Sequence, residues 1–196
     1  MSGDELETRL RSEAFRLLLA GAKPVSEQQL ASAIGVGVGQ ARVALRALAD
    51  AGRIRRDDSG RVIGSAGLSV VPDRHAIELD RRRFWTWCAY DILGIFGALK
   101  ANGRAHSPSP SGRVIELDFE RGRPLNSSAV LFRPTDDLMS CCENVYEQWC
   151  PNSNFFGDDV EARSWARKHR VEGRVMSLAE ASDVGTTDWA DLAPDQ

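Results

Sequence analysis

The residues of this chain with the most distinctive chemistry are four cysteines, Cys88, Cys141, Cys142 and Cys150, and one aspartate, Asp91, set three positions after the first of them. On a helix, residues three apart share a face, so the Cys88 thiol and the Asp91 carboxyl can address one small object. In water a proton does not pass readily from such a thiol to such a carboxylate. Their ordinary pKa values, about 8.5 and about 3.9, leave a gap of roughly 6 kcal/mol. Apolar surroundings raise the carboxyl and a soft cation on sulfur lowers the thiol, and together they close that gap. A core cysteine beside an ordinary helix aspartate would have the same spacing and none of this chemistry.

The second group is Cys141-Cys142, then Trp149-Cys150-Pro151 and Phe155-Phe156. Adjacent cysteines do not easily point at one metal, so Cys141 and Cys142 are not expected to chelate together. A zinc site built from these three with His106 or His169 would match no CxxC-type spacing. Neither a nucleophile-elbow motif nor a glycine-rich phosphate loop occurs. Reduced cysteines of this kind suit thiol chemistry or metal binding, with plain core packing as the alternative use.

The positioning elements must come from a chain of 196 residues with 42% hydrophobic content, enough for one large domain or two small ones with a real core. A net charge of -3, from charges of both signs spread along the chain, does not describe a polyanion-binding protein as a whole. No apolar run approaches the ~18 residues of a membrane span, and the opening MSGDELETRL is acidic, unlike a secretory leader. The expected compartment is the cytoplasm, where cysteines stay reduced.

Leu6, Leu10, Ala14, Leu17 and Leu18 have helical spacing. Ser26 with Gln29 forms a capping-box pattern ahead of Leu30, Ala31 and Ile34, and a third helix is predicted over 38–51 with Ala41, Leu45 and Leu48 inward. Two short strands, 52–56 and 61–64, follow around the turn Asp57-Asp58-Ser59-Gly60. Three helices and a hairpin form a winged-helix pattern. The third helix offers mainly Gln40, Arg42 and Arg46 for reading bases, so nucleic acid is not the expected partner. Beyond it the sequence predicts strands at 68–72 and 75–79, a long aromatic helix over 80–100, and a proline-stiffened loop at 107–112. Strands around 113–119 and 129–132, a helix over 159–169 and a polar tail from Thr186 to Gln196 complete the pattern. The fold class is therefore α+β: an N-terminal winged-helix-like three-helix module over 1–66, then a mixed α/β catalytic domain over 67–196 with small antiparallel sheets.

Three ordered motifs carry a family resemblance. Arg81 to Asp91 (RRRFWTWCAYD) resembles the segment of organomercurial lyases in which an aromatic stretch leads into Cys-Ala-x-Asp. Gln148 to Asp158 (QWCPNSNFFGD) resembles that family's second cysteine motif, and Ser164 to His169 (SWARKH) is similar to its Trp-Ala-x-Lys-His helix. The resemblance implies carbon–mercury bond cleavage with no organic cofactor. It makes Cys88 and Cys150 the catalytic, mercury-binding thiols and Asp91 the proton-shuttling acid in contact with the metal. It also implies an organomercurial substrate, with cellular thiols and mercuric reductase as acceptors of the product Hg(II). Another register would hand the second thiol's role to Cys141. Many members carry a further cysteine where this chain has Ser107 to Gly112 with none. The competing reading is a winged-helix regulator or binding protein that senses a thiophilic metal with the same cysteines and does not need Asp91.

Overall fold

The computed structural model describes residues 2–125 and 128–192. Helix α1 (Gly3–Gly21) starts where the Ser2 hydroxyl accepts the Glu5 N–H, and its predicted stripe of Leu6, Leu10, Ala14 and Leu18 is buried. Helix α2 (Glu27–Ile34) has the expected capping box between Ser26 and Gln29, which satisfies two otherwise orphaned N–H groups. Helix α3 (Val38–Asp50) buries Ala41, Ala44, Leu45 and Leu48. It ends at Gly52, whose φ of 64° lets the Arg53 N–H return to the Leu48 carbonyl at 2.8 Å.

The strands β1 (Ile54–Arg56), β2 (Val62–Ser65), β3 (Leu68–Ser69), β4 (His75–Leu79) and β5 (Arg82–Thr86) belong to one eight-stranded sheet with β6 (Gly103–Pro108), β7 (Val114–Glu120) and β8 (Arg123–Pro124). Its order is β1-β2-β3-β5-β4-β6-β7-β8, and the neighbouring strands pair antiparallel. A second sheet holds β9 (Val130–Pro134) between β10 (Asn154–Phe156) and β11 (Gly173–Ser177). The fold is thus mixed α+β with antiparallel sheets. The hairpin of the N-terminal segment is the edge of the larger sheet.

The predicted helix over 80–100 is corrected. Residues 82–86 form β5, and only α4 (Ala89–Leu99) is helical. Asp80 and Arg81 have φ of 46° and 68°, the two positive values of a tight primed hairpin turn, and β5 folds back on β4 in register from Leu79↔Arg82 to His75↔Thr86. Aromatic residues suit a pleated surface as well as a helix, and the cross-strand partner decides between them. Phe84 faces the core, while Trp85 lies half-buried under the Arg83 guanidinium.

Further elements depart from the sequence reading. The proline-containing loop begins as β6, Asp136–Cys141 is helix α5, and α6 (Asp159–His169) falls where its pattern predicted. The expected tail is instead the end of α7 (Leu178–Asp188), which packs along α4; the stretch 193–196 of that tail lies outside the described residues. No helix among the described residues is long and apolar enough to cross a membrane.

The turn after α3 is tied to a distant segment. The Val145 N–H donates to the Ala51 carbonyl at 3.1 Å, and Asn144 Nδ2 donates to the Asp50 carbonyl at 3.1 Å. A Cβ on Gly52 would strike the Asn144 side chain and come within 2.7 Å of the Tyr146 nitrogen, at a positive φ that already disfavours L side chains. Gly52→Ala is therefore expected to lower stability by about 1–3 kcal/mol in urea denaturation. Val43→Ala, at a 72% exposed position, should stay within about 0.5 kcal/mol of the unsubstituted protein.

Candidate active site

Cys88 occupies the N-cap of α4, with extended backbone at φ -143° and ψ 170°. From there it makes a reciprocal box with the third helical residue: its sulfur accepts the Asp91 N–H, and the Asp91 carboxylate accepts the Cys88 N–H at 2.8 Å. The three-residue spacing thus brings the pair together at a helix start rather than on a helix face. Such a box normally belongs to Ser or Thr with Glu or Gln. Here it fixes a thiol and a carboxyl at one spot.

Cys150 arrives from the other side of the sequence. A π-helical turn (Val145–Trp149), of a kind that recurs at functional sites, leads into a short 3-10 turn (Cys150–Asn152). The Ala89 N–H then donates to the Ser153 carbonyl at 3.2 Å, tying the start of α4 to the residue that closes the Cys150 turn. The two sulfurs and a carboxylate oxygen of Asp91 lie within 4.8 Å of one another, and all three residues are buried. Cys141 is exposed and Cys142 half-buried, each with its thiol turned to a carbonyl of its own helix, and neither belongs to this cluster. His106 pairs with Glu116 and His169 stacks on Trp165, so neither histidine joins the cysteines.

The hairpin turn between β2 and β3 closes over the carboxyl. Ala66 and Gly67 have φ of 49° and 87°, and a Cβ on Gly67 would overlap Asp91, reaching 2.6 Å from Oδ1. Burial pushes the Asp91 pKa up to about 7, against hydrogen bonds from Cys88 and the Trp87 backbone that favour the charged form. The Cys88 thiol is pushed well above its usual range, first by burial, then by its hydrogen bond with Cys150 and by the negative charges of Asp91 and Cys150. Burial therefore favours the protonated form of both the Cys88 thiol and the Asp91 carboxyl.

A cavity of about 450 Å³ opens onto Asp91 and Cys150. Its aromatic walls include Trp87, Tyr90, Trp149 and Trp189, with the Trp189 indole N–H donating to the Ala66 carbonyl at 2.8 Å. Of the aromatic residues the sequence singled out, Trp87 lines this cavity. Phe84 and Phe155 sit in the main core, and Phe156 packs with Phe132 and Trp165 in a separate cluster. Trp149, noted beside Cys150 in the sequence, lines the cavity as well, whereas sequence reasoning gave no role to Tyr90, although it lies inside the Cys-Ala-x-Asp motif, or to Trp189. The last sits where polarity suggested a tail.

A buried pair of thiols around a carboxyl, reached through an aromatic cavity, has the donor set that soft, polarisable cations prefer. The sequence model of the family described as alkylmercury lyase matches residues 68–190. The chain is 31% identical over 174 residues to an alkylmercury lyase of Staphylococcus epidermidis, covering 86% of this chain and 76% of that one. It is 32% identical over 174 residues to an alkylmercury lyase of Streptomyces lividans, with the same two coverages. A crystal structure of the mercury-bound form of MerB2 superposes with a TM-score of 0.77 at 22% identity, covering 95% of this chain and all of that one, which establishes a shared fold. This chain belongs to the alkylmercury lyase family.

The raised carboxyl has a stability consequence. Because the folded pKa of about 7 lies above the ordinary value of 3.8, the folded state holds its proton where the unfolded chain has lost it. The stabilisation is complete below pH 3.8 and is lost as pH rises to about 7. Relative to Asp91→Asn, the unfolding free energy of the unsubstituted protein should fall by roughly 4 kcal/mol across that window and level off above it, as read by urea denaturation at stepped pH.

Proposed function

We propose that this chain is an organomercurial lyase in which Cys88, Cys150 and Asp91 are the catalytic residues and hold the mercury of substrate and product. The observation that carries the reading is the buried cluster itself: two thiols and a carboxyl within 4.8 Å, in a chain of this family. Cys150 lines the cavity and Cys88 is fully buried beside it, which supports Cys150 as the first thiol to capture R–Hg(II), displacing the ligand that delivered it. Cys88 adds second, and its proton passes to the Asp91 carboxylate. With two thiolates on mercury, the carbon gains electron density and takes that proton from Asp91. The pair of electrons in the C–Hg bond becomes the new C–H bond. A hydrocarbon leaves, and Hg(II), unchanged in oxidation state, stays on two sulfurs. A free carbanion would be far too basic to depart, so protonation has to accompany cleavage. An acid of near-neutral pKa is suited to both accepting and giving the proton.

Hg(II) would leave by exchange onto cellular thiols, and mercuric reductase is the proposed final acceptor. The reading places the protein in the cytoplasm, where free thiols persist. Residues 1–66 would form the winged-helix-like module and 67–196 the catalytic domain. A structural rather than nucleic-acid-reading role for the module is supported by Arg42, which is engaged by Glu27 at 2.9 Å, and by the hydrogen bonds that the Asp50 and Ala51 carbonyls accept from the Asn144 side chain and the Val145 N–H ahead of Cys150.

The reading is tested by incubating reduced protein with phenylmercury and excess thiol and measuring benzene. Cys88→Ser, Cys150→Ser and Asp91→Asn should each lower benzene release by at least about a hundredfold. Asp91→Asn should keep its mercury while losing turnover, and Cys142→Ser should retain activity. Full activity in Asp91→Asn would remove the acid role, and mercury retention without benzene in the unsubstituted protein would favour a sensor.

A further inference from the structure

The charged groups around the cavity are unevenly partnered. Each of its three aspartates is engaged: Asp91 by the Cys88 N–H, Asp136 by Arg133 at 2.6 Å, and Asp188 by the Tyr90 hydroxyl at 2.6 Å. Of its four arginines, Arg133 has Asp136 and Arg174 has Glu180 at 3.2 Å. Arg11, from α1, and Arg53, from the turn after α3, form no ion pair with any described residue. These two cations sit close enough to repel each other, and burial together with Arg53 lowers the Arg11 pKa. Three buried N–H donors among the lining residues, Arg11 Nε, Trp87 Nε1 and Arg133 Nε, find no acceptor among the described residues. A cavity that brings like charges together and leaves buried donors unmatched is built for an anionic acceptor, because an unsatisfied buried donor costs about 1–3 kcal/mol.

We infer that Arg11 and Arg53 form an anion subsite at the cavity, which takes a carboxylate belonging to the mercury compound. That carboxylate sits either on the organic group or on the thiol that carries the mercury in. The inference rests on the lyase reading and adds a substrate class to it. It also gives the N-terminal segment a part in recognition, since both guanidinia come from it. Arg53 is aimed by the glycine turn that closes α3, and Arg11 is steadied where its backbone carbonyl accepts the Ser65 hydroxyl at 2.8 Å. A planar guanidinium suits a carboxylate, which it can grip with two parallel hydrogen bonds.

The test compares kcat/KM in three arms: phenylmercury with mercaptoethanol, para-mercuribenzoate with mercaptoethanol, and phenylmercury with mercaptopropionate. A gain confined to the second arm assigns the carboxylate to the organic group, and one confined to the third assigns it to the carrier thiol. In either case, combined Arg11→Gln and Arg53→Gln should reduce the preference about tenfold, the size of one charge-assisted hydrogen bond. Arg53→Lys should keep most of it, and added salt should erode it in the unsubstituted protein. If the double variant does not fold, Arg53→Gln alone, at a half-buried turn position, reads the same direction. Equal kcat/KM in all three arms at low salt overturns the subsite, and so does a preference that survives the arginine substitutions. Failure to release any hydrocarbon product, benzene from phenylmercury or benzoate from para-mercuribenzoate, is instead the failure of the lyase reading. The subsite is then decided by whether para-mercuribenzoate affinity depends on the two arginines.

Discussion

Everything in this fold that bears on chemistry depends on keeping one carboxyl dry beside two sulfurs. An aspartate taken out of water without a cationic partner prefers its neutral form, and Asp91 is held in that condition by its position in a helix-start box and by a glycine turn lying against it. The same burial pushes the Cys88 thiol well above its usual range. Desolvation thus sets both proton affinities at once. A more open site would leave the carboxyl ionised at neutral pH.

Holding such a cluster requires backbone from well-separated parts of the chain. The start of α4 supplies Cys88 and Asp91, the turn between β2 and β3 supplies the roof, and the π-helical turn ahead of Cys150 delivers the second sulfur. These pieces are joined by main-chain hydrogen bonds: Ala89 to Ser153 across the two cysteine segments, Trp87 to Gly67 beneath the roof, and Val145 to Ala51 back to the N-terminal helices. Backbone bonds of this kind fix position without adding titratable groups near the acid. The N-terminal segment is therefore part of the support of the site. Its hairpin forms the edge strands of the larger sheet, and its α3 turn braces the Cys150 segment.

The cavity combines the Asp91 and Cys150 floor with aromatic walls and arginines in its lining. The aromatic walls suit an apolar organic group, and Arg11 from α1 and Arg53 from the α3 turn line the same cavity. The turn after α3 that braces the Cys150 segment through Asp50 and Ala51 also carries Arg53 into the cavity lining. Access and reactivity are thereby set by one packed unit.

The local parts of this arrangement were legible in the sequence. The three N-terminal helices, the capping box at Ser26 and helix α6 follow from periodicity and caps, which act over one or two turns. The Cys88–Asp91 partnership also follows from spacing, because three residues bring the pair together whether they lie inside a helix or at its start. The tertiary structure alone decided that residues 82–86 are a strand, since β4 supplies the partner that turns an aromatic run extended. It alone decided that Cys150, and not Cys141, comes within reach of Cys88, and that Trp189 and Arg11, at opposite ends of the chain, share one cavity. Spacing encodes neighbours along one element. Which elements meet is set by the burial of the whole core, to which every residue contributes and which no short motif records.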